Sequence, residues 1–169
     1  MGTHKSSFPA FNVPRRSEAV ATDQVYSDTP AVCGGETTAQ LFVGRKSIVA
    51  DILGLKSDKQ FVNALLDIIR KRGAMDKLIS DRAAVEISNR VKDILRHLCI
   101  DDWQSEPYYQ HQNFAEHHYR GIKRISNWTM QATGSPAELW LLCLKYVCFI
   151  LNRMARKSLG WRTPLEVLT

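Results

Sequence analysis

Three acidic side chains, Asp28, Asp81 and Glu116, are candidates for a shared metal site. Asp28 and Asp81 each end a predicted strand, and Glu116 lies in a predicted helix. Carboxylates held close together repel one another unless a cation lies between them. Mg²⁺ prefers such oxygen ligands, and two ions about 3.5–4 Å apart can bind both the attacking and the leaving oxygen of a phosphodiester. The three residue types therefore fit phosphodiester chemistry.

Each acid also has a purely structural interpretation. Asp28 can shape the turn before Thr29 and Pro30, and Asp81 can cap the helix that follows it. Glu116 can form an i,i+4 ion pair with Arg120, which contributes about 0.2–0.5 kcal/mol. Taken one at a time, none of the three acids indicates catalysis.

The predicted helix 113–132 carries Glu116 among several cations. Projection at about 100° per residue places four polar residues in one stripe, and these are Glu116, Arg120, Lys123 and Asn127. The apolar side of the same projection consists of Phe114, Ile122, Ile125, Thr129 and Ala132. Gly121 falls near the packed side, where a residue without Cβ permits close approach. His117 and His118 fall off the polar stripe, and we expect surface and half-buried positions for them rather than metal binding.

Five strands and four helices are predicted to position these residues. The strands begin at Val25 and then cover 37–43, 47–55, 76–81 and 99–103. Helical periodicity and capping signals at Ser57 and Ser135 predict helices, and these cover 57–72, 84–98, 113–132 and 136–157. Asp51 is expected to face outward from its strand. A meander of three strands followed by alternating strands and helices predicts an α/β fold with a five-stranded mixed sheet, three strands antiparallel and two parallel, flanked by helices.

Composition agrees with one globular domain whose basic charge fits either a nucleic-acid partner or an ordinary basic surface. The chain has 169 residues, 44% of them apolar, and 23 Lys+Arg against 17 Asp+Glu give a net charge of +6. We expect an extended arm or linker over 1–22 and the folded domain over 23–169. The four cysteines form no C-x-x-C pair, so a reducing compartment is expected. No apolar run is long enough to cross a bilayer, and no membrane association is expected.

The segments that carry the acids resemble the catalytic core of retroviral and copia-type retrotransposon integrases. The resemblance rests on YSD (26–28), LISD (78–81), QNFAE (112–116) and the closing TPLEVLT (163–169). The acids are separated by 53 and 35 positions, close to the spacing in that family. The order of strands and helices is similar to the family's ribonuclease H-like fold.

The resemblance implies a polynucleotidyl transferase that trims a DNA 3′ end and joins it to a target strand. Asp28, Asp81 and Glu116 would hold two Mg²⁺ or Mn²⁺ ions. The residues expected to contact DNA are Gln112, Asn113, Arg120, Lys123 and Arg124. The implied partners are the element ends, the target DNA and further copies of the chain. The implied location is intracellular, and nuclear if the protein is active in integration.

Two departures from the family pattern keep other functions open. Phe114 stands where integrases usually carry a small residue after the asparagine. The paired His/Cys zinc module that normally precedes this domain is absent, as is a basic C-terminal module. We therefore expect a metal site rather than complete integration from this chain alone. The alternatives are a nuclease that only hydrolyses phosphodiesters and a catalytically silent DNA-binding domain derived from a mobile element.

Overall fold

A computed structural model describes residues 12–80, 88–104 and 114–169. Five strands form one sheet in the order β3-β2-β1-β4-β5. Their bounds are β1 Ala19–Tyr26, β2 Thr38–Gly44, β3 Ala50–Leu55, β4 Lys77–Ser80 and β5 Asp101–Gln104. β1, β2 and β3 are antiparallel neighbours, whereas β4 runs parallel to β1 and β5 runs parallel to β4. The predicted mixed sheet is confirmed.

Helices cover both faces of this sheet. They are α1 Phe61–Arg72, α2 Asn89–His97, α3 Phe114–Thr133, α4 Trp140–Leu151 and the short α5 Pro164–Leu168. Because side chains alternate along a strand, each strand contributes to two cores. In β1, Val20 packs with α1 and α2, and Ala21 packs with α3 and α4. Among the described residues, no helix is both long enough and apolar enough to cross a membrane.

The first strand begins earlier in the chain than the sequence predicted. β1 starts at Ala19 rather than Val25, so residues 19–22 belong to the sheet and not to an arm. Just before it, Arg16 and Glu18 form a buried ion pair, with Nη2 of Arg16 2.6 Å from Oε1 of Glu18. Pattern reasoning placed these residues in the arm because their burial depends on residues distant in the chain.

The Glu18 carboxylate organises the turn between β2 and β3. Its oxygens accept hydrogen bonds from the Lys46 amide, the Ser47 amide and the Ser47 hydroxyl, at 3.0, 2.8 and 2.7 Å. Burial by itself raises the pKa of Glu18, but the bonds from Ser47 and Arg16 outweigh it, and the pKa lies below its ordinary value. A charged carboxylate therefore holds this turn at neutral pH.

Two predicted capping boxes do not form. The Gln60 side chain accepts from the Lys56 amide, and α1 begins only after a 3₁₀ turn over 58–60. The start of α4 likewise has no side-chain cap. A capping box does form in α5, where Thr163 and Glu166 bond each other's backbone amides. α4 ends at Leu151, six residues before its predicted end.

Asp51 faces inward, and the outward prediction was wrong. It is 7% exposed, and its carboxylate accepts two hydrogen bonds from Arg72 at 3.0 Å and one from Lys71 at 3.2 Å. Burial raises its pKa, but the two cations outweigh that effect and the pKa is lowered. This ion pair joins β3 to the last turn of α1.

Candidate active site

α3 follows β1 along the sheet, and this placement defines the candidate site. At the start of α3, the Phe114 ring lies 5.8 Å from the guanidinium of Arg45, whose amide bonds the carbonyl of Ala19 in β1. Further along the helix, Asn127 lines a groove together with Ser27, just past the end of β1. The first turn of α3 therefore lies toward the first residues of β1, and its later turns lie toward the last.

The buried stripe of α3 is rotated from the predicted one. Ala115, Ile122 and Ser126 are buried, whereas Ile125 is 40% exposed. Gly121 is exposed, and apart from its chain neighbours and the backbone of its own helix no atom lies within 4 Å of the position that a Cβ would occupy. Small side chains at 115 and 126 let the helix approach β1 closely, so close packing does not explain Gly121.

Asp23 is an acid that sequence reasoning missed. It lies in β1 on the face that α3 covers, between Ala21 and Val25, which belong to the core beneath α3. Its Oδ1 accepts a hydrogen bond from the Gln24 amide at 2.9 Å. Burial, followed by the negative charge of Asp23, raises the pKa of the half-buried Tyr119 of α3. Asp23 is therefore near the middle of the first half of α3.

Glu116 lies in the first turn of α3 and is the one acidic residue of that helix. Its side chain is 34% exposed, and its Oε1 accepts a hydrogen bond from Nη2 of Arg120 at 2.9 Å. The predicted i,i+4 pair is thus present. Because both side chains reach solvent, the pair contributes little to stability and can exchange for other ligands.

Asp28 lies two residues beyond the end of β1 and is exposed. Next to it, the carbonyl of Thr29 accepts a hydrogen bond from Nε1 of Trp140 at 2.7 Å, at the start of α4. Ser27 lines the groove beside Asn127, which is eleven residues past Glu116, or about 16 Å along a helix. The described contacts therefore place Asp28 near the far part of α3 and do not bring it to Glu116.

Asp81, Gln112 and Asn113 lie outside the described residues. Over the described residues, β1 and β4 pair in a fixed register. Ala19, Val20 and Ala21 pair with Lys77, Leu78 and Ile79, a constant separation of 58 positions. Asp23 and Asp81 are separated by the same number of positions in the sequence. This register could have indicated Asp23 from the sequence. It was not available because the first strand was predicted to begin at Val25, which left Asp23 outside it.

The cations predicted to contact DNA follow Glu116 along α3. Arg120, Lys123 and Arg124 are all exposed. Lys123 also lines, with Tyr26 and Ser27, a groove of about 150 Å³ at the end of β1. A polyanion lying along α3 would meet these cations in succession.

The two histidines occupy the positions predicted for them. His117 is exposed, and His118 is half-buried and packs edge-on against Phe114, with ring centroids 6.3 Å apart. Burial lowers the pKa of His118, and the nearby charges of His117 and Arg156 lower it further. Across 12–80, 88–104 and 114–169, no three or more His, Cys, Asp or Glu residues are grouped so that they could hold a metal ion.

No protein-family model and no curated protein matches this chain, but solved structures do. The catalytic core domain of BIV integrase matches with a TM-score of 0.68 and 19% identity, over 90% of this chain and 93% of that one. The HTLV-2 integrase catalytic core domain in complex with magnesium matches with a TM-score of 0.69 and 13% identity, over 93% and 98%.

A third match is a chain of a simian T-cell lymphotropic virus intasome in complex with the PP2A regulatory subunit B56 gamma. It has a TM-score of 0.72 and 14% identity, and the match covers 92% of this chain and 55% of that chain. The chain therefore has the ribonuclease H-like fold of retroviral integrase catalytic cores, as its sequence predicted.

Proposed function

We propose that this chain is the catalytic core of an integrase-type polynucleotidyl transferase from a retrotransposon. In this proposal it cleaves DNA 3′ ends and joins them to target DNA, with Asp23, Asp81 and Glu116 as metal-binding acids. The β1–β4 register carries the proposal, since the described pairs are separated by 58 positions and Asp23 and Asp81 are separated by the same number in the sequence. The integrase-core fold and the cations around Glu116 support it.

Asp23 replaces Asp28 in this proposal because of its position. Asp23 lies under the first half of α3, close enough for its charge to act on Tyr119, which is three residues after Glu116. Asp28 lies past the end of β1, beside the contact between Thr29 and Trp140. A site that needs Glu116 is therefore completed more readily by Asp23.

The residues of the site fit Mg²⁺ or Mn²⁺, because all three proposed ligands are carboxylates, the hard oxygen donors that these ions prefer. A solved neighbour, the HTLV-2 core, was determined in complex with magnesium. Two bound ions would activate a water and neutralise the phosphate oxygens during the transfer.

The basic side chains would position the DNA. Arg120 donates a hydrogen bond to the Glu116 carboxylate, and its guanidinium is exposed enough to reach a phosphate as well. Lys123 and Arg124 lie one turn further along and would bind phosphates without reading the sequence. Gln112 and Asn113 stay predicted DNA contacts.

The test uses labelled duplex DNA carrying the element end, a plasmid target, and Mg²⁺ or Mn²⁺. We expect joined products with the unmodified chain, and a loss of at least about 100-fold in Asp23→Asn, Asp81→Asn and Glu116→Gln, since even indirect metal partners contribute about 10–100-fold. Asp28→Asn is the matched control and should remain active.

Other outcomes lead to other conclusions. If Asp28→Asn is inactive and Asp23→Asn is active, Asp28 and not Asp23 is the metal-binding acid. Cleavage without joined products would support a hydrolytic nuclease. DNA binding without turnover, unchanged by any of these substitutions, would support a silent DNA-binding domain.

We extend the proposal to a homo-oligomer that acts in the nucleus, where target DNA is present. Leu142 and Tyr146 lie one turn apart on α4 and are 46% and 58% exposed. Burying such an apolar face against a second copy would remove it from water. Light scattering should show a multimer for the unmodified chain and a smaller species for Tyr146→Glu; identical masses would contradict this surface.

A further inference from the structure

A second cavity, of about 290 Å³, opens on the side of α3 beside its polar stripe. It lies between β3 with its preceding turn, the first half of α3, and the segment that follows α4. It is lined by Ile48, Ala50, His117, His118, Gly121, Ile122, Ile125, Leu151 and Arg156. The volume is near the lower end of the roughly 300–1,000 Å³ that ligand sites occupy, which suits one small molecule or one unit of a polymer.

The wall formed by the turn before β3 is rigid. Ile48 has a φ of +61°, a region that β-branched residues rarely adopt. It is held there because Glu18 binds the neighbouring Ser47 and because the Ile48 amide bonds the carbonyl of Gly44 at 3.1 Å. A conformation of this kind persists only where surrounding contacts determine it.

The opposite walls are joined by Asn152, which is 2% exposed. Its Oδ1 accepts from the Ala50 amide and its Nδ2 donates to the Ala50 carbonyl, both at 2.9 Å. These bonds therefore hold β3 and the end of α4 together, and Ala50 and Leu151 of these two elements line the cavity. The cavity is formed before any ligand arrives, which lowers the cost of binding.

Gly121 leaves the third wall open. A Cβ there would meet no atom within 4 Å outside the backbone of its own helix and its chain neighbours, so packing does not require glycine at this helical position. Glycine in a helix interior costs about 0.5–1 kcal/mol relative to alanine. A ligand that approaches the helix backbone would use the space that this residue leaves.

The lining has one permanent cation and no acid among its described residues. Arg156 supplies the charge, and its backbone is fixed by a hydrogen bond from its amide to the Arg162 carbonyl at 3.1 Å. His117 and His118 add ring N–H donors, and five aliphatic residues form the remaining surface. A guanidinium beside an apolar surface suits an anion attached to an apolar or aromatic body.

We propose that this cavity binds one nucleotide, with its phosphate on Arg156 and its sugar and base against the aliphatic wall. Glu116 and His117 are adjacent in α3, so a bound nucleotide would lie beside the proposed metal site without occupying it. The nucleotide could be free or part of a DNA strand, since both present the same phosphate and base. The proposal rests on the cavity and not on the proposed metal chemistry.

The test is a titration of the full chain, free of divalent metal, with a deoxynucleoside 5′-monophosphate, followed by amide NMR. We expect saturable shifts at Gly121 and Ile48, with weaker binding of inorganic phosphate and of the unphosphorylated nucleoside. Equal affinity for phosphate and nucleotide would overturn the role of the apolar wall. Equal affinity for nucleoside and nucleotide would overturn the role of Arg156.

Three substitutions sharpen the test. Arg156→Gln should weaken nucleotide binding about tenfold, as expected for the loss of one charge-assisted contact. Gly121→Leu should block the cavity while the helix stays folded, since leucine is a better helix former than glycine. Lys157→Gln removes a neighbouring exposed charge outside the lining and is the control. Unchanged binding in Arg156→Gln or Gly121→Leu, in a chain with native circular dichroism, would refute the site.

A short single-stranded oligonucleotide distinguishes the two sources. Displacement of the mononucleotide by the oligonucleotide, with the same Gly121 shifts, indicates a nucleotide of a strand. Binding of the mononucleotide without displacement indicates a free nucleotide. Because Glu116→Gln removes the proposed metal chemistry and leaves the cavity lining intact, this variant should still bind the nucleotide, whatever the outcome of the cleavage assay.

Discussion

Replacing Glu18 with alanine should destabilise the domain strongly, even though Glu18 is not one of the acids proposed to bind metal. The substitution removes the acceptor for Arg16, whose side chain is 1% exposed, and for the Ser47 and Lys46 amides. Removing one partner of a buried ion pair costs about 3–5 kcal/mol, because the other charge stays buried without compensation. That is a large part of the roughly 5–15 kcal/mol by which a domain is stable.

Urea unfolding followed by circular dichroism would measure this loss. The matched control is Asp93→Ala, which removes an exposed i,i+3 pair with Arg96 and should change stability by less than about 0.5 kcal/mol. The double variant Arg16→Met, Glu18→Leu should recover much of the loss, since it leaves no buried charge. If Glu18→Ala resembles Asp93→Ala, the ion pair does not hold the β2–β3 turn as described.

The pH dependence provides a second measurement on the same residue. The pKa of Glu18 is lowered in the folded state, so its contribution is present above its unfolded value, near 4.5, and is lost as pH falls through the lower folded value. The unmodified chain should therefore lose stability below about pH 4.5, and Glu18→Gln should lose less over the same range. If the free energy of unfolding changes with pH in the same way in both proteins, Glu18 is not the source of the pH dependence.

Three further outcomes follow from other contacts. Asp51→Ala should lower the free energy of unfolding by about 3 kcal/mol, because it leaves the Arg72 guanidinium, 16% exposed, without its carboxylate; a loss below about 1 kcal/mol in urea unfolding would contradict this. Lys123→Ala should weaken binding to all DNA sequences about equally. It should also reduce the slope of log affinity against log salt concentration by about 1, measured by anisotropy at several salt concentrations. Thr163→Ala should lower stability by about 1 kcal/mol through loss of the capping box, and Thr163→Ser should restore it.

The amino-acid pattern by itself determined the architecture. Alternation and turn residues predicted the antiparallel strands, and helical periodicity predicted the helix around Glu116 with its outward-facing Arg120 and Lys123. These features depend on neighbours two to four positions apart, so they can be read locally. The predicted outward position of Arg120 and Lys123 is confirmed on this basis.

Only the tertiary structure placed Asp23 beneath α3 and decided which charges are buried. Asp23 and Asp28 are equally acidic and lie five positions apart, but only Asp23 lies beneath the first half of α3. The sequence predicted that Asp51 faces outward, but the structure places it beside Arg72. The sequence also predicted that Gly121 packs closely, but the structure places it at an open cavity. The physical reason is that strand register and burial depend on residues tens of positions away, whose pairing the local pattern does not encode.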